Sequence, residues 1–182
     1  YVSLLMMLPN QKVGVVVLTN QESGAAFQAI GLRVLDYYLN APPFDWLAGY
    51  AQRMARVDSM MAAENKATAA ARDSLSKPSL PLARYAATYE DAWYGTVTVT
   101  QENGGLAMKF DKTPSLVGDM IHWQYDTWLV KWRDRELCAD AFVTFTLNEE
   151  GKVAGATMKP ASPEVDFSFD FQDLDLRPVA KK

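Results

Sequence analysis

Tyr1-Val2-Ser3-Leu4-Leu5-Met6-Met7-Leu8, then Pro9-Asn10-Gln11-Lys12, then Val13-Gly14-Val15-Val16-Val17-Leu18-Thr19-Asn20: two apolar runs flank a turn opened by Pro-Asn. Their length and content are those of paired, buried strands. A two-stranded ribbon is marginal in water by itself, so it must lean on other elements. The next residues supply one. Phe27, Ile30, Val34 and Tyr38, with Leu35 beside them, recur at spacings of three and four, which predicts a helix with one apolar face. Ser23 suits its N-cap, and Asn40 with Pro42-Pro43 ends it. Two strands alone cannot cover both of their faces, and the chain opens on Tyr1 without a Met. The expectation is a piece of something larger.

Farther out, Asp45 suits the N-cap of a second helix, with Trp46, Tyr50, Met54, Val57 and Met61 along one face. The Ala-rich stretch from Ala62 to Ala71 favours its continuation to near Ser74. Its length predicts a connecting helix, half packed and half solvated. The methionines Met54, Met60 and Met61 read as packing groups, with a partner contact as the other reading. Leu75-Ser76-Lys77-Pro78-Ser79-Leu80-Pro81-Leu82 reads as a stiff linker, because two prolines forbid helix and favour an extended path.

From Tyr85 the period changes from helical to twofold. Thr96, Thr98 and Thr100 alternate with Val97 and Val99. Leu106, Met108 and Phe110 share a face, as do Trp128, Val130 and Trp132, and Ala141, Val143, Phe145 and Leu147. Val165, Phe167, Phe169 and Phe171 read as one more strand. Asn103-Gly104-Gly105 and Asn148-Glu149-Glu150-Gly151-Lys152 are turns. Short alternating strands between such turns predict an antiparallel barrel or sandwich. The fold class is therefore α+β, divided as residues 1–74, a linker over 75–82, and a β domain over 83–182.

The composition limits the functions open to this chain. It has 182 residues, 49% of them hydrophobic, which is enough for a packed core. The net charge is −4, and its basic residues form no stripe interleaved with aromatics, so nucleic acid is not an expected partner. Seven basic and six acidic residues fall through Leu82, eleven and sixteen after it, in keeping with two units. No apolar run reaches the ~18 residues of a membrane span. Cys138 is the only cysteine and is expected to be a small buried strand residue. One Cys and one His cannot build a usual zinc site, so no metal or other cofactor is expected.

Two segments together resemble a known architecture. The strand, Pro-Asn turn, strand ending in Leu18-Thr19-Asn20 and following helix resemble the C-terminal end of the serine β-lactamase-like, penicillin-binding-protein-like hydrolases. Tyr85-Ala86-Ala87-Thr88-Tyr89, Tyr94-Gly95, Leu106, His122-Trp123, Asp126-Thr127-Trp128, Phe142-Val143-Thr144-Phe145, Glu150-Gly151-Lys152-Val153 and Asp166-Phe167 resemble the small domain of unknown function often appended to those hydrolases. That domain looks like a lipocalin-type barrel. Ala87 stands where that pattern usually has Gly, and Trp128 where it usually has Phe. The resemblance implies a non-catalytic C-terminal portion of a hydrolase acting on amide or ester bonds by acyl-serine chemistry. Its barrel would modulate access, stability or assembly. The rest of that hydrolase would be the partner, and an exported or periplasmic location follows from resemblance alone.

Such hydrolases need a Ser-x-x-Lys opening a helix, a later Tyr-x-Asn or Ser-x-Asn, and then Lys/His-x-Gly on a strand. Ser74-Leu75-Ser76-Lys77, Tyr38-Leu39-Asn40 and Lys112-Thr113-Pro114 match formally. The first is followed by Pro78 and so ends a helix. The second precedes the first, which is the wrong order. The third has proline where glycine would let a substrate lie along the strand. No catalytic residue is assigned, and the chain is expected to be inactive alone.

Other candidates are weaker. His122 reads as structural or surface histidine. Asp170, Asp173 and Asp175 lack the spacing of a calcium loop and read as solvated carboxylates. An alternative function is a module holding a small apolar ligand among Trp123, Trp128, Trp132, Phe145, Phe167 and Phe169. Another is self-association into a homo-oligomer through the Tyr1–Asn20 hairpin and the long helix.

Overall fold

The computed structural model describes residues 2–21, 23–166 and 168–179. Tyr1 of the expected hairpin and Phe167 of the expected ligand set lie outside them. The chain divides into two compact units, Tyr1–Ala63 and Glu64–Lys182. Among the described residues, no helix is long and apolar enough to cross a membrane.

The first unit holds the hairpin. Strands β1 (Val2–Leu8) and β2 (Val13–Thr19) pair antiparallel, with Leu5 opposite Val16 and Leu4 opposite Val17. A 3₁₀ turn over Pro9–Gln11 joins them, closed by Lys12 in the left-handed region at φ 53°. Helix α1 (Gly24–Leu39) follows, N-capped by Ser23, whose hydroxyl accepts from the Ala26 N–H. Asn40, left-handed at φ 51°, ends it.

Helix α1 buries part of the face its large residues mark: Phe27, Val34 and Leu35 are half-buried. Ala29 and Gly31 are its buried positions, while Ile30 and Tyr38 are exposed. A Cβ on Gly31 would lie 2.8 Å from Leu4 Cδ2 and 3.1 Å from Met6 Sδ. The helix thus approaches β1 most closely at Gly31, where a larger side chain would not fit. The first turns of α2 (Trp46–Ala70) belong to the same unit. Asp45 accepts from the Ala48 N–H, Trp46 Nε1 donates to Asp36 at 2.7 Å, and the Tyr50 hydroxyl meets Gln28 at 2.6 Å.

The second unit is a closed eight-stranded antiparallel barrel. Its strands are β3 (Thr88–Asp91), β4 (Gly95–Glu102), β5 (Gly105–Phe110), β6 (Val117–Gln124), β7 (Thr127–Trp132), β8 (Ala141–Leu147), β9 (Val153–Pro160) and β10 (Asp175–Pro178), and β10 closes the ring against β3. The alternating residues face inward. Val97, Val99, Leu106, Met108, Met120, Trp128, Val130, Trp132, Val143, Phe145, Met158 and Leu176 fill the interior. Eight strands leave an interior just wide enough for such filling or for one small ligand. Asn103 (φ 49°) and Gly104 (φ 79°) make the two-residue loop between β4 and β5, since two left-handed residues match the twist of the flanking strands.

Two expectations are corrected. Val165–Phe171 forms no strand among its described residues. Asp166 instead takes the Ser168 N–H on its carboxylate and the Phe169 N–H on its carbonyl, and a 3₁₀ turn over Phe171–Asp173 follows. A local aspartate turn therefore prevails over an alternating pattern. Cys138 is exposed and lies outside the strands. It ends the 3₁₀ turn Arg135–Leu137 at φ 46°, because Asp134 caps that turn and stops the extended chain.

Candidate functional site

Barrel interiors place chemistry at their ends, where loops replace ladders. At one end the residues between β3 and β4, between β5 and β6, and between β9 and β10 converge on a cleft of about 330 Å³. Its apolar wall is Phe110, Leu116, Phe169, Phe171 and Leu174, with Trp93 and Tyr94 beside them. Polar groups on it are Lys112, Thr113, Ser168 and Asp170. Phe169 stacks on Phe171 at 5.6 Å, and Phe171 on the buried Trp132 at 5.9 Å. The wall of the cleft is thus continuous with the core.

Asp91 holds the turn that carries Trp93 and Tyr94. It is the buried charged residue of the described core. One carboxylate oxygen accepts from the N–H groups of Trp93 and Tyr94, each at 2.8 Å; the other accepts from the Asp175 N–H, also at 2.8 Å. Burial works against its charge, but these three donors prevail and hold its carboxyl below the usual range. Above the turn, the Tyr94 hydroxyl lies 3.4 Å from Asp170. Burial, then the negative charges of Asp170, Asp173 and Asp91, push the Tyr94 phenol up.

The opposite end is braced by the chain that enters the barrel. The pairing of β6 with β7 slips between His122 and Gln124, leaving Trp123 as the extra residue of a bulge. Arg72 Nε donates to the Trp123 carbonyl at 2.6 Å and its NH2 to the His122 carbonyl at 3.0 Å. Asp126, in the next turn, accepts from the Ser79 N–H and hydroxyl and from the Tyr85 hydroxyl. Burial works to raise Asp126, but the Tyr85 and Ser79 hydrogen bonds lower it below the usual range. The Tyr85 phenol is pushed up to about 12 by burial and then by Asp126.

The residues expected to surround a ligand are dispersed. Trp128 and Phe145 pack around Tyr85 in the core, and Trp132 lies in the core beside Phe110 and Phe171. Trp123 sits half-buried against Phe142, under Arg72. Phe169 alone of the described five lines the cleft.

His122 Nε2 is 2.9 Å from the Tyr125 carbonyl, and its ring meets Trp128 edge-on. Among the described residues, no group of three or more His, Cys, Asp or Glu converges as a metal site would. Asp175 pairs with Arg177, and Asp170 with Tyr94. Ser74 follows α2, and Tyr38-Leu39-Asn40 closes α1. Lys112 and Thr113 belong to the β5–β6 loop and thus to the cleft. Sequence reading did not single out Trp93 or Asp91; an aromatic pair two and three residues after an aspartate was the available signal.

The chain matches, over residues 71–178, the family described as a domain of unknown function, DUF3471. Comparison with curated proteins finds no match. Among solved structures, the crystal structure of the C-terminal domain of penicillin binding protein Rv0907 is similar at 20% identity and a TM-score of 0.41. The similarity covers 57% of this chain and 88% of that one.

Proposed function

Because the chain belongs to the DUF3471 family, a domain found at the C-terminus of β-lactamase-like proteins, we propose that it is the non-catalytic C-terminal portion of a serine β-lactamase-related hydrolase. The family match carries this reading. The parent would cleave amide or ester bonds through an acyl-serine, with its nucleophile outside these residues. The barrel then modulates access to the hydrolase domain, its stability or its assembly.

The hairpin adds support. Leu5, Met7, Val16 and Leu18 stand exposed on the face turned away from α1. Exposed apolar faces of this kind call for a covering element. The remaining strands of the hydrolase domain are the proposed cover.

The test is removal of residues 83–182 from a full-length parent. A changed hydrolytic rate, a lower thermal midpoint or an altered oligomeric state is the expected result. Unchanged rate, midpoint and assembly would remove the modulatory role.

A further inference from the structure

Trp93 is 88% exposed, the barest aromatic side chain among the described residues, yet its backbone N–H is bonded to Asp91. The Asp91 carboxylate, 6% exposed, takes the N–H groups of Trp93 and Tyr94 together and ties them to the start of β10. The turn fixes the backbone from which the indole projects, so only the two side-chain torsions of Trp93 remain to be ordered when something covers it. The adjoining cleft, about 330 Å³, is at the lower end of ligand-pocket sizes, which begin near about 300 Å³. It therefore suits one ring at a time.

The chemistry of its rim narrows the ring. Tyr94, Thr113 and Ser168 supply hydroxyls, Asp170 a carboxylate and Lys112 an ammonium. Donors and acceptors are interspersed, and both signs of charge are present, so no strongly charged ligand is favoured. A wholly apolar ligand would strip water from Asp170 and Lys112 without replacing it. A hydroxylated ring with an apolar C–H face satisfies both halves. Its flat face covers the indole, and its hydroxyls meet the carboxylate, phenol and ammonium. We propose that the loop-end cleft binds a saccharide unit, with Trp93 as the stacking platform and Asp170 and Tyr94 as hydroxyl partners. This goes beyond the accessory role above and does not depend on it, because the site lies wholly within this chain.

Cellotriose and chitotriose are titrated into the full 182-residue chain by calorimetry, with the Trp93 indole signal followed by NMR. Saturable binding of at least one trimer is expected, with the Trp93 signal shifting in step. Trp93→Ala should weaken it by about tenfold or more while leaving the circular dichroism spectrum and thermal midpoint unchanged. Asp170→Asn should weaken it as well. Absence of saturable binding by either trimer, or binding that Trp93→Ala leaves intact, overturns the proposal. So does uptake of anilinonaphthalene sulfonate at Trp93 that neither sugar displaces.

Discussion

The guanidinium of Arg72 lies 4.9 Å from the centre of the Trp123 ring while donating to the carbonyls of Trp123 and His122. The β6–β7 register slips at Trp123, and both carbonyls that Arg72 bonds belong to this bulge. One planar cation supplies both hydrogen bonds and stacks on the residue that the bulge pushes out. Around it, Asp73 accepts from Tyr125, and Ser76 accepts from the Tyr125 N–H. The entering segment is thereby fastened to the β6–β7 turn.

Arg72→Ala removes two charge-assisted hydrogen bonds and a cation–π contact. A loss of about 2 kcal/mol is expected from these magnitudes. Arg72→Lys keeps the charge but not the fork and should recover less than half of it. The denaturant midpoint of the two variants checks the ordering. Equal midpoints for Arg72→Ala and the parent sequence would show that the bulge is satisfied another way.

Two depressed, partly buried aspartates contribute to the acid limit of the barrel. Asp91 and Asp126 both lie below the ordinary value of 3.8 in the folded chain. A group whose pKa falls on folding contributes stability above its unfolded value and loses it as pH drops through the folded one. The barrel should therefore hold its midpoint down to about pH 4 and weaken below it. Tyr85 contributes on the alkaline side, as does the more deeply buried Tyr89, whose phenol burial also pushes up. The Tyr85 pKa rises from 10.0 to about 12, so its contribution is complete below pH 10 and is lost as pH rises toward 12. Asp126→Asn should flatten the acid limb in a pH series of thermal midpoints, at the cost of a lower plateau.

Much of this was legible because it is local. The strands of the hairpin, the caps Ser23 and Asp45 and the inward sets of β5, β7 and β8 depend on neighbours within a few residues. The brace at Arg72 was not legible, since it joins residues about fifty apart through carbonyls, which carry no side-chain signature. Asp91 reads as one more surface acid until Asp175 arrives from the far end of the chain. Lys112 and Thr113, part of a formal catalytic match, belong to a cleft rim completed from both the β3–β4 turn and the β9–β10 loop, far from them in sequence. The alternation at Val165–Phe171 misled for the opposite reason. Phe169 and Phe171 do reach the core, but from a loop that folds across the barrel end.

Gly118 is fixed by its surroundings. A Cβ there would lie 2.7 Å from Val130 Cγ1, 2.8 Å from Trp132 Cε3 and 2.9 Å from the Lys131 carbonyl. The carbonyl belongs to the ladder and cannot move alone. Gly118→Ala should cost about 1–3 kcal/mol as overpacking, read as a shift in denaturant midpoint. A cost within about 0.5 kcal/mol would mean the ladder relaxes.

Leu5 and Val16 face each other on the open side of the hairpin. Both are more than half exposed, so replacing them with threonine removes little packing. Leu5→Thr with Val16→Thr should leave helical content unchanged and stability within about 1 kcal/mol. Self-association through this face, the reading the double variant tests, predicts concentration-dependent sedimentation that falls in that variant. Loss of the fold in the double variant would mean that this face is packed in solution.

Trp132 and Trp128 separate bulk from hydrogen bonding. Both are buried core indoles on β7. Trp132 Nε1 donates to the Ala139 carbonyl at 2.6 Å, whereas Trp128 Nε1 is buried without a partner among the described residues. Trp→Phe removes similar volume at either position. At 132 it also strands a buried carbonyl, and at 128 it removes a donor that had already lost its water. Trp132→Phe should therefore be the more destabilising by about 1–2 kcal/mol. Urea midpoints of the two single variants give the difference directly. A larger loss at 128 would show that its N–H meets a partner, such as a bound water, inside the barrel.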